Sequence, residues 1–370
     1  MQTAVVKALS VILSILVLLP RLPSALTLAL LRSYNDSAAQ SARVGAIRNG
    51  RIDQADEQRF AAFDLTDETV RYNEVRTIAT HNSYKKAMPQ GLYDFSKIIW
   101  GEQKFKSTMY EHDTLSAQLG NGIRSFELDI RWQVNGFKIY HNGLPDNGST
   151  CPDWKLALEE LRLWSDANPG HVPITVLVEI KRDNPARNPL YADMDEEKFR
   201  QLDQTVADIV GAEKAVTPAD LMGRWPTLGA MAQNGGWPSL AQLKGKIIFL
   251  LHPDSVYTRL YIGMDPSLKT QWFVPAFGAG ETAVYPDDAA FLIANNPDIG
   301  LVRPLVARGC IVRVFMDYDR VYNASMKEAA LASGAQILTT DLEKGVVLPR
   351  SDYVAEFPGG YTVARNLPAQ

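Results

Sequence analysis

The stretch ITVLVEI, residues Ile174 to Ile180, decides the fold class that the sequence predicts. It is rich in β-branched and apolar residues, as is typical of a strand that is buried on both faces of a sheet. The stretches on either side, Trp154 to Ala167 and Glu196 to Val210, carry apolar residues with the 3.6-residue period of a helix. A short buried strand between two helices indicates a parallel sheet covered by helices.

Similar short runs recur along the chain. They are Val75 to Thr80, Ile123 to Ile130, Phe137 to Tyr140, Lys246 to Leu251, Trp272 to Phe277, Ile311 to Phe315 and Ile337 to Thr340. With Ile174 to Ile180 they make eight strands, which predicts an α/β fold with a single closed (β/α)8 barrel of the TIM type. The doubly wound open sheet is the alternative, but its usual glycine-rich phosphate turn, GxGxxG, does not occur in the sequence.

The composition of the 370 residues excludes several classes of protein. Hydrophobic residues make up 46% and charged residues 22%, which rules out disordered, collagen-like and small disulfide-rich chains. The net charge of −4 and the lack of a basic run give no footprint for binding nucleic acid. Cys151 and Cys310 are the only cysteines, and the predicted strands place them toward opposite ends of the barrel, so we predict no disulfide.

The N-terminal part of the chain has the form of a targeting segment. Lys7 precedes the apolar run Ala8 to Pro20, as in a secretory signal. We therefore expect residues 1–39 to be a secretory signal or a retained N-terminal membrane anchor, and residues 40–370 to form the barrel. The expected location is outside the cytoplasm, secreted or periplasmic, with cleavage near Ser37 to Ala39. Oligomeric state is not predicted.

Polar residues stand at the ends of the predicted strands. They are His81 and Asn82 after the first, Glu127 and Asp129 near the end of the second, His141 after the third, Glu179 and Lys181 at the fourth, His252 after the fifth and Asp341 after the eighth. In a parallel barrel these positions converge on the C-terminal face, where the active sites of such barrels are built. The sequence therefore predicts one site.

The acidic residues of this set indicate a metal. Glu127 and Asp129 are two residues apart on one strand, so both side chains face the mouth of the barrel, where two carboxylates repel each other unless they share a cation or a proton. With Asn82 and Glu179 they offer four oxygen donors, a set that suits calcium or magnesium rather than zinc.

The two histidines suggest a reaction. The side chain of histidine ordinarily titrates near neutral pH. A metal with two imidazoles, here His81 and His141, matches the needs of phosphodiester cleavage, with Lys181 adding a positive charge. A GxSxG nucleophile elbow and an HExxH helix are both absent from the sequence, which excludes covalent serine chemistry and that zinc hydrolase type.

Four blocks of sequence resemble a known family. They are ATHNSY (Ala79 to Tyr84), GIRSFELDIRW (Gly122 to Trp132), YHNG (Tyr140 to Gly143) and LVEIK (Leu177 to Lys181), with a weaker continuation at ILTTD (Ile337 to Asp341). In order and spacing they resemble the calcium-dependent branch of the phosphatidylinositol-specific phospholipase C superfamily. The resemblance implies a distorted barrel in which His81 and His141 are catalytic and Asn82, Glu127, Asp129 and Glu179 hold calcium.

Two positions separate the branches of this superfamily. The metal-independent bacterial members have an arginine at the position of Asp129 and an aspartate at that of Asn82, so we read this chain as metal-dependent, with calcium favoured over magnesium. The related glycerophosphodiester phosphodiesterases usually carry Arg-Gly after the first histidine, whereas this chain has Asn82 and Ser83.

The resemblance implies a two-step reaction on phosphatidylinositol or a related inositol phosphodiester at a membrane surface. The inositol 2-hydroxyl, deprotonated by a carboxylate for which we favour Glu127, attacks the phosphorus while His141 protonates the leaving diacylglycerol oxygen and His81 binds the phosphoryl oxygen. Water then opens the 1,2-cyclic phosphate to inositol phosphate.

Several alternatives stay open. Lys181 and Asp341 are expected to bind the substrate. Lys181 could instead only neutralise the charge of Glu179. Asp341 could instead orient His81 or cap the helix that follows it. A glycerophosphodiester or sphingophospholipid substrate, or a non-catalytic calcium-dependent binding module, are the alternative functions. The apolar stretch Gly91 to Trp100 fits either an interfacial helix or, more readily, packing over the barrel.

Overall fold

The structure of the chain is a computed structural model. The structure describes residues 22–101, 108–133, 136–143, 146–183, 191–253, 256–281, 289–318 and 320–366, without the side chains of 22–26, 99 and 100. Most of the predicted targeting segment, residues 1–21, lies outside the described residues.

Eight parallel strands close into a barrel, as predicted. The strands of the structure are β1 (Val75–Thr80), β2 (Ser125–Gln133), β3 (Gly136–Ile139), β4 (Ile174–Ile180), β5 (Ala215–Val216), β6 (Ile247–Leu251), β7 (Val274–Gly278), β8 (Phe291–Ile293), β9 (Ile311–Phe315), β10 (Ile337–Thr340) and β11 (Val363–Arg365). The closed order is β1-β2-β4-β6-β7-β8-β9-β10, and β10 pairs with β1. The α/β barrel predicted from the sequence is therefore confirmed.

One of the eight predicted strands is not part of the barrel. The run Phe137 to Tyr140 forms β3, which pairs antiparallel with β2 as a hairpin outside the barrel, and β11 likewise pairs antiparallel with β1. The missing barrel strand is β8, which the sequence prediction overlooked. It has three residues, too few for a strand pattern to stand out, and its neighbours β7 and β9 supply the pairing that keeps it extended.

The helices cover the barrel from outside. They are α1 (Leu22–Arg48), α2 (Gln90–Trp100), α3 (Leu115–Gly120), α4 (Trp154–Ala167), α5 (Glu196–Ile209), α6 (Pro218–Met222), α7 (Leu228–Gln233), α8 (Leu240–Leu243), α9 (Tyr257–Met264), α10 (Ile299–Ala307) and α11 (Ala324–Ser333). Helix α4 begins at an Asp153 side-chain cap, and its Leu158 and Leu161 join Leu128 and Ile130 of β2 in the main hydrophobic core. Because Leu128 and Ile130 point outward, Glu127 and Asp129 point into the barrel.

The N-terminal helix α1 runs without a break through residue 39, the boundary expected between targeting segment and barrel. Its buried side packs on α2, where Ala29 meets Leu92 and Phe95. Leu92 and Phe95 are thus packed in the protein, whereas Ile98 of α2 is exposed. Among the described residues, no helix combines the length and apolar content that a membrane span requires.

The cysteines are unpaired. Cys151 and Cys310 are both buried and free. Burial raises the pKa of Cys151 to about 12, so its thiol is a packing group rather than a nucleophile.

Candidate active site at the C-terminal rim of the barrel

Three carboxylates meet at the carboxyl ends of β2 and β4. Asp129 and Glu179 are paired across the two strands, and Glu127 lies two residues before Asp129 on the same face. One oxygen of each carboxylate lies within 4.8 Å of the others. Asp129 is fully buried, and neither of its oxygens has a hydrogen-bond partner. A buried carboxylate without hydrogen bonds is costly, so this group calls for a cation.

Lys181 neutralises part of this cluster. Its Nζ lies 2.6 Å from Oε1 of Glu179 and 3.3 Å from Oδ2 of Asp129. Burial opposes its charge, but the two carboxylates raise the pKa of Lys181 above its ordinary value. Burial, reinforced by Glu179, still raises the pKa of Asp129 against the attraction of Lys181. One ammonium group therefore does not satisfy the cluster.

A buried arginine holds the third carboxylate. Arg313 lies on β9 across the barrel, and its Nη2 donates to Oε2 of Glu127 at 2.6 Å. The same guanidinium donates to Thr339 and Asn295 and lies over the ring of Phe315, 4.1 Å from the centroid. Although burial opposes ionisation, Arg313 lowers the pKa of Glu127. Glu127 is therefore a fixed anion with Oε2 already committed.

Asn82 presents its amide oxygen toward this group. It follows β1 in the left-handed region, with φ of 48°, a conformation that asparagine adopts more readily than most residues. Its Nδ2 donates to Tyr110 Oη at 2.7 Å and lies 3.0 Å from His81 Nε2. Its Oδ1 accepts from Tyr84 Oη at 3.1 Å, and the charge of Asp129 acts on the same Tyr84. The nitrogen is thus used for support, while the oxygen lies on the side of Asp129.

These residues fit a calcium ion. They supply hard oxygen donors, and one buried carboxylate has no hydrogen-bond partner. Lys181 and Arg313 form the ion pairs of the three carboxylates among the described residues. The set matches the four ligands predicted from the sequence, Asn82, Glu127, Asp129 and Glu179. Their roles as ligands stay a prediction.

His81 is fixed by the barrel. Its Nδ1 lies 3.0 Å from Oδ1 of Asp341, and because Thr80 and Thr340 are partners across β1 and β10, the two residues that follow them are held side by side. The ring is stacked on Tyr110 and meets Phe315 edge to face. Burial opposes its protonation, but Asp341 raises the pKa of His81 above its usual value. This contact is the one expected if Asp341 orients His81, and the role of Asp341 stays a prediction.

A second buried histidine supports this arrangement. His112 lies 2.8 Å through Nε2 from the backbone oxygen of His81 and 2.8 Å through Nδ1 from Oε1 of Glu343. Both ring nitrogens face acceptors, an arrangement that favours the protonated ring. Glu343 raises the pKa of His112 despite the opposing effect of burial.

His141 stands on the other side of the cluster, where its charge acts on Asp129. Its Nδ1 lies 2.8 Å from Oδ2 of Asp146, whose Oδ1 accepts from Nζ of the fully buried Lys85 at 2.7 Å. Although burial opposes ionisation, Lys85 and His141 lower the pKa of Asp146. The contact at Nδ1 leaves Nε2 of His141 for a substrate.

The rim brings together every predicted site residue. Contacts and electrostatic effects connect His81, Asn82, Glu127, Asp129, His141, Glu179, Lys181 and Asp341. His252, whose role the sequence left open, acts electrostatically on Glu127. Sequence reasoning missed Arg313, Asp146 and Lys85. Arg313 had a signal, an arginine inside the otherwise apolar strand IVRVF, whereas Asp146 and Lys85 lie in loops that carry no period.

Comparison with known proteins identifies the family of the chain. The model of the family described as phosphoinositide phospholipase C, Ca2+-dependent, matches residues 70–136 and 131–368. The chain therefore belongs to this family of calcium-dependent phospholipase C-type phosphodiesterases. It is an enzyme of the phosphoric diester hydrolase class, and its cofactor is Ca2+.

Solved structures share the fold. The calcium-dependent phosphoinositol-specific phospholipase C of a Pseudomonas species is 20% identical, with a TM-score of 0.58 over 82% of this chain and 98% of that one. The Ca2+-dependent phosphatidylinositol-specific phospholipase C of Streptomyces antibioticus is 18% identical, with a TM-score of 0.54 over 74% of this chain and 95% of that one. No curated protein matches the chain.

Proposed function

We propose that this enzyme cleaves phosphatidylinositol, or a related inositol phosphodiester, into diacylglycerol and inositol phosphate through the 1,2-cyclic phosphate. One observation carries the proposal: two imidazoles, each tied through Nδ1 to a carboxylate, flank a cluster of three carboxylates. Binding alone would need the acidic cluster but not the two carboxylate-bound histidines, which supports catalysis.

His141 is the proposed general acid. Asp146 holds its Nδ1, so Nε2 donates its proton to the diacylglycerol oxygen as the bond between phosphorus and that oxygen breaks. In the second step the neutral imidazole takes a proton from water, which attacks phosphorus. The bond between phosphorus and the inositol 2-oxygen breaks, and that oxygen recovers the proton that it lost in the first step. Bound Ca2+, held by Asn82, Glu127, Asp129 and Glu179, would neutralise charge at the phosphoryl group.

The contact with Arg313 bears on which group takes the first proton. An efficient general base has a pKa near the working pH. Arg313 lowers the pKa of Glu127, which makes this carboxylate a weaker base. We therefore assign Glu127 mainly the role of a calcium ligand. We assign His81 the role of general base, which takes the proton of the inositol 2-hydroxyl as that oxygen bonds to phosphorus. With Nδ1 facing Asp341, Nε2 of His81 is the accepting nitrogen, and the inositol hydroxyl would replace Asn82 Nδ2 as its neighbour. Lys181 is the proposed cation for the phosphoryl oxygens.

A membrane surface is the proposed place of action. Leu30, Leu31 and Tyr34 of α1 are 60%, 53% and 73% exposed, and Ile98 of α2 is 44% exposed. Such a group of large exposed apolar side chains on two packed helices is typical of a surface that meets lipid. The apolar run Ala8 to Pro20 before α1 supports export, as a secreted, periplasmic or anchored protein.

The reaction is tested by phosphorus NMR of the products formed from phosphatidylinositol with calcium and with a chelator. Inositol 1,2-cyclic phosphate is expected with calcium only, because the neighbouring 2-hydroxyl is the nucleophile. Cleavage of a choline or glycerol phosphodiester, with no reaction on the inositol lipid, would instead identify a glycerophosphodiester or sphingophospholipid substrate.

The membrane role is tested by sedimentation with vesicles that contain phosphatidylinositol. Leu30→Glu with Leu31→Glu should reduce the bound fraction, while Leu301→Glu, an equally drastic change at an exposed leucine of α10, should not. Equal binding of all three proteins would show that this face of α1 does not meet the lipid.

A further inference from the structure

Helix α1 reaches the loops that support His141. It precedes the residues matched by the family model, yet its inner face carries a row of buried polar residues. Arg32 donates to the backbone oxygens of Lys86 at 2.8 Å and Ala87 at 2.5 Å. Asp36 accepts from Nζ of Lys86 at 2.6 Å and from the backbone nitrogen of Ser149 at 3.1 Å. The helix is thus bonded to two separate segments of the chain.

The two segments are those that carry Lys85 and Asp146. Residues Lys85 and Ser149 are bridged as antiparallel partners, and Thr150 donates its backbone N–H to the oxygen of Tyr84 at 2.7 Å. Lys85 and Asp146 are 0% and 1% exposed, and their ion pair ends on His141. A displacement of either segment would therefore move the carboxylate that orients the imidazole.

The chain is shaped to receive Arg32 at this place. A Cβ on Gly148 would lie 1.7 Å from Nη2 of Arg32, so the guanidinium passes directly over a residue without a side chain. Asn147 next to it donates to Ser33 Oγ at 2.6 Å. Further along the helix, Gln40 both donates to and accepts from the backbone of Asp153, each at 2.9 Å. These contacts cover the loop that follows His141 from Asn147 to Asp153.

We propose that helix α1 is part of the catalytic apparatus, with Arg32 and Asp36 as positioning residues that fix Asp146 and Lys85 behind His141. This inference rests on the proposed function, because it gives α1 a role in the acid step. It also assigns α1 to the working enzyme: a cut near Ser37 to Ala39 would remove Arg32 and Asp36.

The test compares two soluble inositol phosphodiesters, one with a short alkyl leaving group and one with a nitrophenyl leaving group. An alkoxide needs a proton from His141 to depart, whereas a nitrophenolate does not. Asp36→Asn should lower kcat for the alkyl substrate about tenfold and leave that for the aryl substrate within about twofold, because a small misplacement of a catalytic group is costly only where that group acts. KM should be unchanged for both substrates.

Arg48→Gln is the matched control. It removes another contact of the same helix, the exposed ion pair of Arg48 with Glu159, away from the loops of His141. It should leave both rates at the wild-type value. Asp146→Asn should reproduce the pattern of Asp36→Asn with a larger loss on the alkyl substrate.

Lys86→Met gives a second route if Asp36→Asn fails to fold. Lys86 is 31% exposed, so its replacement disturbs little packing, and Asp36 keeps Arg32 and the backbone nitrogen of Ser149 as neighbours. The same alkyl-selective loss is expected. Equal losses on both substrates, or no loss on either, would overturn the inference. If the unaltered protein cleaves neither substrate, the proposed function is refuted instead.

The length of the exported protein gives an independent test. Intact mass measurement of the active protein should find a chain that retains Arg32 and Asp36. A fully active protein that begins after Ala39 would exclude a positioning role for this helix.

Discussion

The two histidines of the site are held by different parts of the molecule. His81 and its partner Asp341 follow neighbouring barrel strands, so the hydrogen bonds of the barrel fix their separation. His141 follows β3, which lies outside the barrel, and its partner Asp146 sits in a loop held by Lys85 and helix α1. One half of the site is thus built from the shared fold, and the other depends on contacts added around it.

This difference separates what the fold guarantees from what a particular chain must supply. A closed barrel brings strand ends together on one rim whatever the loops contain. A loop residue such as Asp146 has no such constraint, and its position depends on Lys85, Ser149 and the helix that covers them. Changes in the two halves should therefore have different consequences for the same reaction.

Replacing either histidine should have the largest effect. His81→Ala and His141→Ala should each lower turnover of phosphatidylinositol about 10²- to 10⁴-fold, since each removes a positioned acid or base. Calcium affinity, measured by titration calorimetry, should be nearly unchanged. With a nitrophenyl leaving group, His141→Ala should recover most of its activity and His81→Ala should not. If both variants recover alike, the two halves do not divide the work as proposed.

Arg313→Met should cause the largest loss of stability. It leaves Glu127 buried without its cation, which typically costs about 3 to 5 kcal/mol in the free energy of unfolding. The double variant Arg313→Met with Glu127→Gln removes both charges and should regain part of that loss. Chemical denaturation measures both values. A double variant no more stable than the single one would mean that the pairing does not account for the loss.

Asp129→Asn should weaken calcium binding more than it slows the chemical step. The dissociation constant for calcium should rise about tenfold or more, because the site loses one charged oxygen ligand. Activity should return in part at higher calcium concentration. Unchanged activity together with unchanged sensitivity to a chelator would contradict the ligand assignment of Asp129.

Asp203→Asn should have the smallest effect, and only on the pH dependence of stability. Burial raises the pKa of Asp203, which accepts from Tyr261, to about 7, so the folded protein holds this proton longer than the unfolded chain. Its stabilising contribution is complete below about pH 4 and is lost as the pH rises through about 7. The variant cannot ionise, so between pH 5 and pH 8 it should gain about 1 to 3 kcal/mol relative to the unaltered protein.

Thermal melts at the two pH values measure this gain. Asp208→Asn, at an exposed position of the same helix α5, is the control and should show no such change. A parallel shift of both variants would mean that burial of Asp203 is not the cause.

Much of the fold and of the site could be predicted because strand ends are visible in a sequence. β1, β4 and β10 were bounded correctly to the residue, and the polar residues that follow them lie on one rim. β3 was assigned to the barrel in error, because a short apolar run has the same pattern whether its partner strand is parallel or antiparallel. β8 was missed because three residues carry no usable period.

The sequence by itself determined the barrel, the acidic rim and the two histidines, since these follow from local periods and from the positions just after each strand. Only the tertiary structure decided how these groups are held. Arg313 and Glu127 are 186 residues apart in the chain, and Asp36 and Ser149 are 113 residues apart. No local sequence pattern marks such partners. Contacts of this kind form when the barrel closes and its covering helices pack, because only then are these charges removed from water and stabilised by a partner.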